Sequence, residues 1–302
     1  MHPTLAHVLH GSNKQINISE NQWLENTFDG NSWIILSPIE QSIKTKIEKY
    51  GTSLKDWDIQ INYGIKTGCN EAFIITTAKR DEILANCKTQ DERKRTDEII
   101  RPILRGRDIK RYKYDWKGLW LINTHNGVKG KFPRVDIKDY PAIKQWLDKG
   151  GEAYNGKIYH GYKDIEKRAD QGDTPYNLRN CAYLEDFSKP KIMFQEMVQE
   201  PQFFLDSTDN FMCLDTGRII VGSNLLWLLD ILNSKLFFYA IKHYYGGGAL
   251  GNNGVRMKHS FFINFPCALP PSRGIMKDSD KEQYIFDLYH LTNQEIAWIN
   301  EH

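Results

Sequence analysis

The chain has 302 residues, 40% of them hydrophobic and 12% aromatic, which is enough for a core and excludes a disordered tail or a coiled-coil rod. Forty Lys and Arg against 38 Asp and Glu leave a formal charge of +2, so any electrostatic footprint must be local. Five cysteines (Cys69, Cys87, Cys181, Cys213, Cys267) never fall at C-x-x-C spacing, which argues against a zinc site or a disulfide framework and for reduced thiols in the cytoplasm.

Met1-His2-Pro3-Thr4-Leu5 lacks the basic and apolar pattern of a signal peptide. No apolar stretch approaches the roughly 18 residues of a membrane span. A soluble, cytoplasmic protein is expected. Residues 1–30 are polar and unpatterned and read as a lead-in or linker; 32–36 read as a short strand. Ser37-Pro38-Ile39-Glu40 joins an N-cap serine, a first-turn proline and a capping-box glutamate, and Ile39, Ile43 and Ile47 follow on one face. With Gly51 as the stop, a helix is predicted over 38–50.

Residues 58–63 and 71–76 read as two strands joined through a turn at Gly64–Gly68. Short helices are predicted over 79–87 and 96–101, extended chain over 107–114 and 118–123, and a helix from Asp139-Tyr140-Pro141 to Gly150-Gly151. Lys191 to Val221 alternates apolar triplets with turn residues, a β pattern. The strongest helix, 224–242, is apolar on nearly every side and belongs in a core. Tyr244–Lys258 contains five glycines, too many for regular structure, and Ser279-Asp280-Lys281-Glu282 opens an amphipathic helix to about residue 299. The sum is α+β: a mixed or antiparallel sheet with flanking helices, among them a buried one near 224–242 and a C-terminal amphipathic one.

The sharpest chemical feature is basic. Arg101, Arg105, Arg107, Lys110, Arg111 and Lys113 are opposed only by Asp108, with Tyr112, Tyr114 and Trp116 interleaved. Closely spaced cations beside aromatic faces suit a phosphate backbone and its sugars, although a solvated strand edge has the same composition. The glycine-rich 246–254 is not G-x-x-x-x-G-K-[ST] and follows a helix, so it reads either as a plain connector or as a loop that orders on a polyanion. No G-x-S-x-G, H-E-x-x-H or Walker lysine is present. Glu92-Arg93-Lys94 is the E-x-K half of a metal-dependent nuclease site without its Pro-Asp, and Asp206, Asp209 and Asp215 lie in turns where short carboxylates serve the backbone. No independent active site is legible.

Tyr63-Gly-Ile-Lys-Thr-Gly-Cys-Asn-Glu-Ala-Phe-Ile-Ile75 closely resembles the start of the TaqI-like C-terminal specificity domain of type IIG restriction–modification enzymes. The resemblance continues through Glu98–Tyr112, Trp116–Ile122, Asp139–Ile143, Lys189–Ile192, Leu229–Phe237 and Phe262–Pro266, in order, over about 200 residues. It implies a target-recognition domain that reads an asymmetric DNA sequence for an adenine-N6 methyltransferase, usually fused to a nuclease. Neither the F-x-G-x-G-like nor the N-P-P-Y methyltransferase motif is present, nor the nuclease signature. The resemblance therefore implies the specificity portion alone, with no cofactor of its own. S-adenosylmethionine and Mg2+ are expected for the catalytic domains of the full enzyme. Double-stranded DNA and a methyltransferase or nuclease domain or subunit are the expected partners.

Carried over block by block, Lys66, Thr67, Arg105, Arg107, Lys110 and Arg111 are the implied DNA contacts. Blocks shared by enzymes with different targets cannot distinguish those targets, so Gly64, Gly68 and Gly106 read as turn holders and Asn233-Ser234-Lys235-Leu236 as helix packing. Base reading is expected in the segments without a family pattern: 124–135 (His125, Asn126, Lys129, Lys131, Arg134), 152–180, and 244–258 (Asn252, Asn253, Arg256, Lys258). The expected division is a lead-in over 1–30, a DNA target-recognition domain over 31–270, and a C-terminal helix over 271–302 packing on that domain or on a catalytic partner. The alternatives are a stand-alone nuclease or methyltransferase, and a protein-interaction subunit of a restriction system docking through the 224–242 and 280–299 helices.

Overall fold

The computed structural model describes residues 36–208, 211–245, 249–250, 254–257, 259–270 and 281–302. The expected lead-in over 1–30 and nearly all of the strand expected over 32–36 lie outside them. Helix α1 (Pro38–Tyr50) starts as its sequence dictates: the Ser37 hydroxyl accepts from the Glu40 amide, and the Glu40 carboxylate accepts from the Ser37 amide. Ile43 and Ile47 are its buried stripe. Strands β1 (Thr52–Ser53) and β2 (Ile59–Tyr63) follow.

Residues 71–76 are not the second arm of a hairpin. Asn70–Phe73 forms a helical turn, α2, ahead of the short strand β3 (Ile74–Thr76). The 64–68 turn hands the chain from one sheet to another. Gly64 explains why it can: a Cβ there would lie 1.8 Å from the Leu214 carbonyl oxygen. Gly68 adopts φ +66°, the left-handed region glycine tolerates. Gly64→Ala should therefore cost about 1–3 kcal/mol by overpacking, read as a lower urea midpoint; an unchanged midpoint would show that the crossing relaxes freely.

Helices α3 (Thr77–Ala85) and α4 (Gln90–Ile99) lead into β4 (Ile100–Leu104), the hairpin β5 (Ile109–Lys110) and β6 (Lys113–Tyr114), and β7 (Leu119–Ile122). Helix α5 (Pro141–Lys149), the ribbon β8 (Gly151–Glu152) and β9 (Ile158–Tyr159), and α6 (Tyr162–Ile165) come next. The β-rich stretch holds β10 (Lys191–Gln195), β11 (Met197–Val198), β12 (Phe203–Asp206), β13 (Met212–Cys213) and β14 (Gly217–Gly222). The chain continues with α7 (Leu225–Leu232), α8 (Lys235–Ala240), β15 (Ala249–Leu250), β16 (Gly254–Arg256), α9 (His259–Phe262), β17 (Pro266–Cys267), α10 (Lys281–Leu288) and α11 (Asn293–Glu301). This is the expected α+β architecture.

Two four-stranded sheets, ordered β12-β10-β14-β2 and β13-β4-β7-β3, carry the fold. The first is antiparallel and is the wall between two cores. Side chains alternate along a strand, so Ile192, Phe194 and Ile220 enter the core of α1, α7, α8 and the C-terminal helices, while Met193, Ile219 and Val221 enter the core of the second sheet and α5. A strand buried on both faces reads as an unbroken apolar run, as Ile192-Met193-Phe194 and Ile219-Ile220-Val221 do.

The helix expected over 224–242 is interrupted at Asn233 and Ser234. The Asn233 side chain, fully buried, accepts from the Phe203 amide at 3.1 Å and donates to the Phe203 carbonyl at 3.0 Å, pairing with the outer edge of β12, where the Tyr112 amide donates to the same carbonyl at 2.9 Å. Ser234 then caps α8 by accepting from the Phe237 amide. The final helix is likewise two: Thr292 restarts it, and buried Tyr289 donates to the Pro266 carbonyl and accepts from the Ala268 amide at the break.

Glu295 on α11 ties the two ends of the described chain together, accepting from Lys46 and Ser42 of α1, each at 2.7 Å, and from Thr292. Burial alone would raise its pKa, but these donors outweigh it and hold the carboxyl down at about 2. A depressed carboxyl contributes stability that is present above its unfolded value of about 4.3 and lost as pH falls toward the folded value. Glu295→Gln should therefore remove about 3 kcal/mol at pH 7 and flatten the loss of stability between about pH 4.5 and 2, followed by urea unfolding at each pH. Parallel pH profiles for the two proteins would contradict it.

Candidate nucleic-acid interface

A cleft of about 870 Å³ opens where the β10–β12 hairpin emerges from the first sheet. Its lining includes Arg107, Lys110, Lys242, Gln195, Gln199 and Gln202, with Met197 and Glu200 on the hairpin tip. Register builds the hairpin side. Phe194 opposes Phe203, so Gln195 and Gln202 are the next residues outward on β10 and toward β12, and the Asn233 clamp on Phe203 fixes that mouth. Gly106 closes on Gln195: a Cβ there would sit 3.0 Å from the Gln195 Cβ.

The basic segment divides sharply. Arg105 does not face the cleft. Its guanidinium grips buried Asp108 through two bonds of 2.8 Å, because a carboxylate 2% exposed requires a charged partner. Arg107, two residues on in the same tight turn, points outward and is exposed. Lys110 lines the cleft beside it, and among the described residues neither has an ion-pair partner. Lys242 donates to the His302 carbonyl at 2.6 Å. Arg111 pairs with Glu282 at 3.0 Å. The interleaved aromatics are engaged in packing: Tyr114 against Phe204 and Phe211, Trp116 against Trp120.

The other expected contacts scatter. Lys66 is exposed at its turn, but Thr67 is 3% exposed, with its hydroxyl donating to Asn70 at 2.6 Å and accepting from the Cys69 amide. It holds the turn and cannot reach a ligand. Lys129 and Arg134 line a second pocket of about 710 Å³ with Asn126, Asp173 and Asn180; Arg134 lies 3.5 Å from Asp173, and Lys131 is paired with Glu185. Burial lowers the pKa of His125 below the ordinary imidazole value, so it brings no charge at neutral pH.

Segments 124–135 and 168–180 support one another. Asn177 donates to the Val135 carbonyl at 2.9 Å, and buried Arg168 donates to the carbonyls of Thr67, Asp170, Pro175 and Asn177. Burial brings the Arg168 pKa down to about 10, which leaves the guanidinium charged at neutral pH.

The glycine-rich segment is more regular than expected. Residues 249–250 and 254–256 pair as β15 and β16, and β16 pairs with β11 on the cleft hairpin, Met197 opposite Arg256. Arg256 is held by Glu196 at 2.7 Å, and Glu196 also holds Arg218 of β14. Asn252, Asn253 and Lys258 lie outside the described residues. The sequence did not single out Gln195, Gln199, Gln202 or Lys242. The local signal was the glutamine- and glutamate-rich Gln195–Gln202 between two apolar triplets, which marks a hairpin tip but not its neighbours.

Glu92 is no nuclease carboxylate: it is 4% exposed and accepts from the amides of Lys88 and Ala142. Among the described residues no three His, Cys, Asp or Glu side chains converge as metal ligands, and no helix is long and apolar enough to cross a membrane. What remains is a basic, amide-lined cleft on the β10–β12 hairpin.

Residues 101–249 match the TaqI-like C-terminal specificity domain. That match covers β4 to β15 and includes Arg107, Lys110, the β10–β12 hairpin and Lys242, the elements that build the cleft. The resemblance to the TaqI-like specificity domain read from the sequence is thereby borne out over those residues. In fold, the chain is similar to the type IIL restriction–modification enzyme MmeI, solved in complex with DNA: TM-score 0.51, 13% identity, covering 83% of this chain and 36% of that one. The type IIG restriction endonuclease BpuSI aligns with a TM-score of 0.44 and 13% identity, over 87% of this chain and 31% of that one. The chain thus spans about a third of the length of these enzymes. No curated protein matches it.

Proposed function

We propose that this chain reads a specific duplex DNA sequence for a restriction–modification enzyme of the type IIG kind, directing adenine-N6 methylation and cleavage carried out by methyltransferase and nuclease domains or subunits. The cleft carries this reading. Arg107 and Lys110, which have no ion-pair partner among the described residues, are cations at its edge, suited to phosphates, and the glutamine amides on the hairpin are suited to base edges. The DNA complex of MmeI supports duplex DNA as the partner. Residues 31–270 then carry recognition, with helices α10 and α11 bracing the core of α1, α7 and α8. S-adenosylmethionine and Mg2+ belong to the catalytic parts, and the system works in the cytoplasm.

The test is binding of the purified chain to duplex DNA by fluorescence anisotropy at about 50 and 200 mM salt. Binding that weakens linearly in log–log salt and is weakened further by Arg107→Ala/Lys110→Ala supports the reading. No salt-dependent binding to any duplex overturns it.

A further inference from the structure

We propose that the cross-strand amide pair Gln195–Gln202 is the base-reading element of the cleft, that Glu200 sets its polarity, and that it reads an A·T base pair. This rests on the reading of the chain as a DNA-recognition module.

An ionised carboxylate only accepts hydrogen bonds. Gln202 donates its amide nitrogen to Glu200 Oε1 at 3.3 Å, so the nitrogen of that amide faces Glu200 and its oxygen faces the other way. The Gln202 oxygen accepts from the Gln195 amide nitrogen at 3.1 Å, which in turn fixes Gln195. One carboxylate thus sets the orientation of two side-chain amides, a choice that an isolated glutamine leaves open. Gln202 keeps one N–H and one oxygen lone pair uncommitted, the donor–acceptor pattern that pairs with adenine N7 and N6 in the major groove. Guanine offers two acceptors at the same edge and matches it poorly.

The surroundings agree. Glu200 is exposed at the rim of a cleft whose other charged lining residues are Arg107, Lys110 and Lys242. A carboxylate there repels phosphates, so it is out of place in a surface that only grips backbone. Met197, on the same hairpin and 58% exposed, lines the cleft as an apolar group with no core to fill. Thymine, the partner of adenine, presents a methyl group in the major groove, which an exposed thioether chain can cover. Glu200 is a positioning residue, acting through Gln202.

The experiment compares the wild-type chain with Gln202→Ala, Glu200→Gln and Met197→Ala on the duplex that the wild-type chain enriches from a randomised pool and on every single base-pair substitution of it, by competition anisotropy, with salt slopes for each. Gln202→Ala and Glu200→Gln should relax discrimination at one and the same A·T pair by about tenfold or more, with wild-type salt slopes. Met197→Ala should weaken that same position. Glu200→Gln keeps the shape and removes the charge, so a merely structural role would leave base preference unmoved. Unchanged preference at every position, or relaxation confined to a G·C pair, overturns this proposal while leaving DNA recognition standing. Failure of the wild-type chain to bind duplex DNA overturns both.

Discussion

Asp206→Ala should lower the free energy of unfolding by about 3–5 kcal/mol, among the largest losses available to a single side chain in this fold. Asp206 on β12 opposes Lys191 on β10, the two are 1% and 0% exposed, and Lys191 Nζ lies 2.8 Å from Asp206 Oδ2. Asp206 also accepts from the Phe211 amide at 2.9 Å and from Thr208. Burial alone would raise the Asp206 pKa; the ammonium and these amides outweigh it, and the net shift is downward. Truncating the aspartate strands an ammonium in the core, and breaking a buried pair costs more than the pair itself contributes. Lys191→Met/Asp206→Leu should accordingly recover most of the loss. Urea unfolding at pH 7 measures both, and a single-variant cost under about 1 kcal/mol would mean that Lys191 finds water or another acceptor. Because the Asp206 shift is downward, its contribution is present above the unfolded value near ~3.9 and fades as pH drops below it.

The second large effect concerns binding. Arg107→Ala/Lys110→Ala should reduce the slope of log K against log salt by about two, close to one per lost phosphate contact, and weaken all duplex sequences alike. Arg105→Ala, by contrast, should leave that slope unchanged and cost stability, because its guanidinium serves Asp108. A slope change for Arg105→Ala equal to that for Arg107→Ala would show that the Asp108 pair opens on DNA. The comparison separates two arginines that lie two positions apart and that composition cannot tell apart.

Helix α1 was legible because its signals are local: Ser37, Pro38, Glu40 and the Ile43/Ile47 stripe act within their own turns. The β-run at 191–221 was legible for the same kind of reason, although its burial on both faces depends on the two cores it separates. The site was half legible. Arg107 and Lys110 stand out by charge, but the side chains beside them come from a hairpin some 90 residues later and a helix further on, brought together by strand register and by the Asn233 clamp. Asn233 marks the limit of local reading. Its position after an apolar helix suggests an ordinary helix end, and its use as a pairing partner for Phe203 exists only once the sheet edge has arrived. Thr67 is buried beside Arg168 and Asn70, which approach it from elsewhere in the fold and its own turn, and no local signal announces that burial.

Sequence-selective recognition of duplex DNA is tested most directly by incubating the purified chain with a randomised duplex pool at physiological salt and sequencing the bound fraction over successive rounds. The account predicts convergence on a single asymmetric sequence, with specific binding at least ~1,000-fold tighter than to the starting pool. Retention of the pool without enrichment of any sequence, or no retention at all, would contradict it.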